Sequence, residues 1–400
     1  MNLKQYNQEQ IYKYYDILSK EEKEFLDNQI SKIDFELVNK VYKNSYTNEK
    51  LDINKISPLK IIRKEDININ DNTLGEELLK NNQYGVVLMA GGFGSRLGFD
   101  IPKGCLELNV LGSKISLFEL FINQLKEANK KNNSTIRLYI MTSTTNNEQI
   151  IEFFKEHNYF NYKEYIKFFT QEDYPIVDTN GKIVLKNKHE ILMGPNGNGD
   201  VYKALLRNGL IDDMKKNNIK YVLFSTIDNP LNNMVDTLFI GTTLKYKYKL
   251  ASKTLSKKDE DDTNWVFLKY KNKPFILPNW YVTKDITNTK VDDKYVYRET
   301  NITYHLISID NIELFSSMDM KYNRNFRNNK FLDEYGILTT SDERNSFKFE
   351  KFIFDAFPLA DDMLLYSIDE SNFRPIKVKE DIKKAEEELT KTYPNKKELN

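Results

Sequence analysis

The stretch Leu88-Met-Ala-Gly-Gly-Phe-Gly-Ser-Arg-Leu-Gly-Phe-Asp-Ile-Pro-Lys103 decides how the rest of the 400-residue chain is read. It opens inside Val86–Ala90, a continuous apolar run of the kind found in strands buried on both faces. Gly91, Gly92 and Gly94 remove side chains where backbone N–H groups must approach an anion closely. Arg96 can fork onto phosphate oxygens, and Lys103 adds a compact point charge nearby. A glycine-rich turn alone is turn geometry, but one that leaves a buried strand with two cations at fixed offsets reads as a phosphate-binding loop. A dinucleotide fingerprint would need a third glycine where Leu97 stands, and no Gly-Lys-Ser/Thr follows as in a Walker A loop.

Working outward, strands alternate with helices. Arg137–Thr142 and Tyr221–Ile227 read as further buried strands, the second ending in Asp228-Asn229. A helix from Ser116 opens with a capping box (Ser116, Glu119), and another covers 146–157. Such alternation implies an α/β fold with a mostly parallel sheet wound by right-handed crossovers, whose ligands sit beyond the carboxyl ends of the strands. The glycine loop and Asp228 both fall there. The first fifty residues read as helices: Ile11, Tyr14, Tyr15 and Leu18 share a face, and Ser19 with Glu22 caps the next helix. Residues 44–80, broken by Pro58, read as a connector with little regular structure. Shorter strands fill 250–310, Phe347–Phe357 is strand-like, and Lys379–Thr392 reads as a charged, solvated closing helix. The expected organisation is an N-terminal helical region and connector (1–80), a catalytic domain (81–378) and a C-terminal helix (379–400).

Composition narrows the function classes. Fifty-nine basic residues balance 59 acidic ones, so no global field favours a nucleic acid partner. No apolar run is long enough to span a membrane, and the N-terminus lacks the apolar stretch of a signal peptide. Cys105 is the single cysteine, so no intrachain disulfide forms. A cytoplasmic protein is expected, as monomer or dimer.

The loop resembles the signature of the eukaryotic-type UDP-sugar pyrophosphorylase family, Leu-x-x-Gly-Gly-x-Gly-Thr/Ser-Arg-Leu-Gly-x-x-x-Pro-Lys, with Ser95 at the Thr position. Further segments are similar to that family in the same order. They are Lys114–Phe118, Tyr139–Ser143 with Phe153–Phe160, Phe168-Phe-Thr-Gln171, Gly194-Pro-Asn-Gly-Asn-Gly-Asp-Val-Tyr202, Asp228-Asn229 and Phe373-Arg-Pro-Ile-Lys377. The resemblance implies a Rossmann-like nucleotidyltransferase (GT-A-like) fold with an N-terminal helical extension. It also implies uridylyl transfer from UTP to a sugar 1-phosphate, with pyrophosphate released and Mg²⁺ as cofactor. Because the sequence ends soon after Lys377, the family's C-terminal β domain is not expected.

By resemblance, Arg96, Lys103 and Lys377 are the catalytic cations. Leu88, Ala90, Gly91, Gly92, Gly94, Ser95, Gln171, Gly197 and Asn198 bind the nucleotide, with Gln171 and the Gly197 backbone reading uracil. Asn301 and Lys348 contact the sugar phosphate, and Asp228 is the metal ligand. Catalysis then needs charge neutralisation and positioning rather than a covalent nucleophile, and His157, His189 and His305 are expected to be structural. The N-terminal helices, Gly197-Asn-Gly199 and Lys348–Phe357 resemble the N-acetylglucosamine branch of the family, while Gly199-Asp-Val-Tyr202 and Lys253-Thr254 resemble the glucose branch. The amino sugar is the expected substrate, glucose 1-phosphate the alternative, and a non-catalytic nucleotide-binding homologue the remote one. Two stretches depart from the family pattern: Ile276-Leu-Pro-Asn-Trp280 lacks an acid in register, and Arg298-Glu-Thr-Asn-Ile302 keeps only Asn301.

Overall fold

The computed structural model describes residues 2–44, 51–94, 98–257, 265–278, 281–339 and 343–394. They form two compact units, one assembled from Met1–Lys50, Gln171–Asp200 and Asp319–Ile353, the other from the remainder.

In the first unit, α1 (Lys20–Ser31) begins with the expected capping box, Ser19 and Glu22 exchanging side-chain and backbone bonds, and α2 (Phe35–Asn44) follows. Ahead of them the expected helix is replaced by short 3₁₀ turns at Leu3–Tyr6, Glu9–Tyr12 and Tyr15–Ile17. The cause is Gln8, whose buried amide donates to the Gly181 carbonyl at 2.9 Å and accepts from the Ile183 N–H at 2.8 Å. That pairing mimics a strand ladder and holds the chain out of helical register. Leu26, Ile30, Phe35 and Val38 pack with Val177, Leu185, Phe347 and Phe349 into a core of their own. The strand-like stretch 347–357 is divided, running as a strand over Ser346–Glu350 and as a 3₁₀ helix over Ile353–Leu359.

The second unit is built on a sheet with eight strands along its main path: β1 (Lys60–Ile62), β2 (Tyr84–Met89), β3 (Arg137–Thr142), β4 (Ile166–Thr170), β5 (Tyr221–Thr226), β6 (Leu250–Ser256), β7 (Glu299–Ser308) and β8 (Leu364–Ile368). Their order is β1-β8-β6-β7-β5-β2-β3-β4. All six residues of β2 are buried, and β3 and β5 are buried except at their ends, as expected for central strands covered on both faces. Neighbours run parallel except β7, which is antiparallel to both β5 and β6. From β6 the chain reaches β7 through a two-stranded excursion (Val266–Tyr270, Lys273–Leu277) instead of a helical crossover, so the parallel rule does not bind it.

Residues 44–80 are more regular than expected. They contribute β1, paired with β8, and α3 (Asn72–Lys80). The helices α4 (Leu117–Asn132) and α5 (Asn147–Glu156) follow their predicted bounds closely, and the Ser116 hydroxyl caps α4 by accepting the Glu119 N–H. Helix α6 (Thr237–Lys245) crosses α3 almost backbone to backbone. A Cβ on Gly75 would lie 1.9 Å from the Thr237 carbonyl oxygen, and one on Gly241 would lie 1.7 Å from that of Asp71. The closing helix α7 (Glu380–Thr392) is not simply solvated, for Ala385 and Leu389 are fully buried. Among the described residues no helix is long and apolar enough to cross a membrane.

The glycine crossing gives a direct check. Gly241→Ala should cost about 1–3 kcal/mol or more, because neither backbone can retreat; a urea midpoint unchanged from wild type would refute the tight α3–α6 contact.

Candidate active site

The glycine loop leaves β2 at the carboxyl edge of the sheet, where two bonds fix its first turn. The Ala90 N–H donates to the Met141 carbonyl at 2.8 Å, and the Ala90 carbonyl accepts from Asn146 Nδ2 at 3.0 Å. Asn146 is itself fully buried, its Oδ1 accepting the Ser143 N–H at 2.8 Å. Leu88 lies in the core beneath, while Gly91 and Gly92 emerge from it. A Cβ on Gly92 would meet nothing within 4 Å, so this face is open to a ligand. The loop then folds back, Gly94 N–H donating to the Ile101 carbonyl (2.9 Å) and Lys103 N–H to that of Gly92 (3.1 Å). The far end of the motif is thereby brought beside its start. Ser95 and Arg96 lie outside the described residues.

Lys103 is where the separate motifs meet. Its Nζ donates to the Ile376 carbonyl at 3.0 Å, and the Ile376 N–H donates to the Asp228 carbonyl at 2.8 Å. The structure therefore joins Lys103, Asp228 and Lys377, residues separated by more than a hundred positions in each case, through a short chain of backbone bonds. Asn229 tightens the same assembly. Its Oδ1 accepts the Arg374 N–H at 3.0 Å, and its Nδ2 donates to Asn232 Oδ1 at 2.6 Å. Lys377 itself is exposed, with its N–H donated to Asp381 Oδ2 at 2.8 Å. Burial opposes ionisation of Asp381, but the N–H groups of Val378 and Lys377 outweigh it and hold the carboxyl below its usual range. The Asp228 carboxylate makes no hydrogen bond or ion pair among the described residues, and no cluster of three or more His, Cys, Asp or Glu side chains surrounds it or any other point there.

The nucleotide and sugar candidates of the first unit stand at the end of a ribbon formed by Asp173–Pro175 and Met193–Pro195. Gln171 is buried, and its Oε1 has no partner among the described residues; the same is true of Asn196 Oδ1. Leaving two buried amide oxygens unsatisfied is costly, which marks them as groups awaiting a donor. Gly197 takes φ +89°, and a Cβ there would come within 2.5 Å of the Lys351 carbonyl oxygen, so only glycine fits. Asn198 accepts the Ile353 N–H at 3.1 Å, so its side chain shapes the turn. Lys348 pairs with Glu350 at 2.7 Å.

In the second unit, Asn301 accepts the Thr303 N–H at 2.8 Å, where β7 bulges at φ +56°. The Arg298 guanidinium lies 3.5 Å from the centre of the Tyr295 ring and donates to the Thr287 carbonyl and Asn288 Oδ1. Ile276 and Leu277 are buried; Trp280 lies outside the described residues. Each histidine is engaged locally: His157 with the Phe153 carbonyl, His189 with Glu22 and His305 with Ser252. Burial drives the His305 imidazole down to about 3, so it stays neutral. Burial, with Glu156 adding repulsion, pushes the Cys105 thiol up to about 12. It is no nucleophile at neutral pH. Sequence reasoning missed the structural role of Asn146, because a buried amide that holds a backbone carbonyl looks locally like any other polar loop residue.

A glycine loop leaving β2, with a carboxylate just beyond the end of the adjacent β5, is the arrangement of an α/β nucleotidyltransferase. The chain belongs to the UDPGP family, described as UTP–glucose-1-phosphate uridylyltransferase, whose model matches residues 32–397. It is therefore a UDP-sugar pyrophosphorylase-type enzyme, as its signature implied. It is 32% identical over 405 residues to a Dictyostelium discoideum protein named "Probable UDP-N-acetylglucosamine pyrophosphorylase", covering 92% of this chain and 80% of that one. The UDP-N-acetylglucosamine pyrophosphorylase of Saccharomyces cerevisiae is 33% identical over 294 residues, 71% of this chain and 61% of its own. The solved UDP-N-acetylglucosamine pyrophosphorylase of Trypanosoma brucei shares the fold, with a TM-score of 0.78 at 24% identity over 96% of this chain and 82% of that one.

Asn229→Ala should lower kcat about tenfold to a hundredfold, since it unties Arg374 and Asn232 beside Asp228; steady-state assay with a circular dichroism control checks this. Cys105 should resist a thiol reagent at pH 8 in the native protein, because a thiol titrating near 12 is protonated there. One thiol should react in denaturant, and rapid native labelling would contradict the burial.

Proposed function

We propose that the chain transfers the uridylyl group of UTP to N-acetylglucosamine 1-phosphate, releasing pyrophosphate. The observation that carries this is the bonded assembly of Lys103, Asp228 and the Ile376-Lys377 segment beside the glycine loop. Two anions must meet when a sugar-phosphate oxygen attacks the α-phosphorus in line, so repulsion is the main obstacle. Lys103, anchored to the Ile376 carbonyl, is placed to direct charge at the α-phosphate as it becomes five-coordinate. Lys377, exposed on the adjoining segment, neutralises phosphate oxygens from another side. Arg96 is assigned the triphosphate by its place in the motif. The unsatisfied oxygen of Gln171 suits the N3–H of uracil, and the Gly197 backbone a carbonyl of the base. Asn301 and Lys348 are assigned to the sugar phosphate.

Asp228 is the residue that would hold Mg²⁺. A single carboxylate with no hydrogen-bond or ion-pair partner among the described residues fits an ion that takes one or two protein oxygens and completes its octahedron with water and phosphate. Bound there, Mg²⁺ would supply charge neutralisation of the phosphates.

The amino sugar is favoured by the names of the relatives. The two features resembling the glucose branch have structural explanations here. Lys253 forms an ion pair with Asp236 at 2.6 Å, and Asp200 accepts the Glu172 N–H at 2.8 Å. A cytoplasmic location belongs to the same proposal.

The test is pyrophosphate release with UTP and Mg²⁺, offering N-acetylglucosamine 1-phosphate and glucose 1-phosphate in parallel. Preference for the amino sugar is expected, and preference for glucose would overturn the substrate assignment. Lys103→Ala should reduce kcat about 10²–10³-fold with the fold intact; an unchanged rate would remove it from the mechanism.

A further inference from the structure

The second unit contains a cavity of about 480 Å³ whose lining includes none of the residues assigned above to the transfer. It opens where β6 and β8 end and β7 begins, lined by Ser256, Ser367 and Glu299. In the sheet order these strands are separated from β2 and its glycine loop by β5. Its interior carries fixed groups of both signs. Lys253, 7% exposed, pairs with Asp236 and lies 4.6 Å from the centre of the Tyr304 ring. Glu299, 2% exposed, receives hydroxyl hydrogen bonds from Thr254, Ser367 and Ser256 but has no ion pair among the described residues. Burial raises its carboxyl above the usual range despite those bonds. A buried carboxyl bonded only by hydroxyls has lone pairs to spare.

Size and charge together select the ligand. A volume of this order suits a small molecule. An anion would face Asp236, Glu299 and, at the rim, Glu65 and Asp369; an ammonium would face Lys253, Arg63 and Lys64. A hydroxyl both donates and accepts, so an uncharged molecule bearing several of them satisfies the two sets without burying a net charge. The Tyr304 and Tyr366 side chains provide apolar surface for its carbon skeleton.

The cavity is also wired to the catalytic loop. Asn232 lines it, donates to Ser225 Oγ at 2.9 Å and accepts from Asn229, the residue beside Asp228 that holds Arg374. We propose that this cavity is an effector site for an uncharged polyol of monosaccharide size, acting on turnover through Asn232 and Asn229.

Calorimetric titration of the full chain with glucose, N-acetylglucosamine and myo-inositol tests this, repeated on Ser256→Trp. That variant plugs the mouth from an exposed position. Binding of at least one polyol is expected, weakened tenfold or more in the variant, together with a change of at least twofold in the rate of pyrophosphate release by wild type. Absence of binding overturns the site, and so does binding that survives Ser256→Trp, which would place the polyol elsewhere. Binding that leaves the rate unchanged overturns the effector role. Should Ser256→Trp fail to fold, Glu299→Gln decides by the same criterion. The heats are measured without UTP, so failure of the transferase reading leaves the binding half of this test intact.

Discussion

Everything at the catalytic edge depends on one problem of electrostatics: several phosphate charges must be held close together without a covalent intermediate. At the sheet edge the candidate cation Lys103 is tied to distant segments through backbone groups. Lys103 is fixed by the Ile376 carbonyl, and Ile376 by the Asp228 carbonyl.

Buried amides do the positioning. Asn146 holds the carbonyl at the root of the glycine loop, Asn229 ties the Asp228 turn to the segment leading to Lys377, and Gln8 does the same service for the first unit's N-terminal turns. An amide is suited to this because it donates and accepts at once and carries no charge to perturb the phosphate site. Where amide oxygens are left buried without partners, as at Gln171 and Asn196, the arrangement points to a ligand.

Much of this was legible in the sequence. The continuous apolar runs of β2, β3 and β5 announced central strands, the glycines announced the loop that leaves β2, and Asp228 fell at a strand's carboxyl end by periodicity alone. Other features were hidden for physical reasons. The first unit is gathered from three separated segments, and no local pattern reports such long-range assembly. The direction of β7 depends on how the chain returns to the sheet, which strand periodicity does not encode. Helix α3 was missed because Gly75 lowers its helix propensity while permitting the close crossing with α6. The Arg at position 298 suggested a changed sugar contact, yet stacking on Tyr295 turns it to a structural use.

The most direct measurement of the account is isotope exchange of labelled pyrophosphate into UTP in the absence of any sugar phosphate or UDP-sugar. A site that works by neutralising and aligning two bound anions forms no uridylyl-enzyme, so the account predicts no exchange under these conditions and rapid formation of labelled UTP once UDP-N-acetylglucosamine is added. Exchange without the sugar nucleotide would require a covalent uridylyl intermediate and would contradict the central claim.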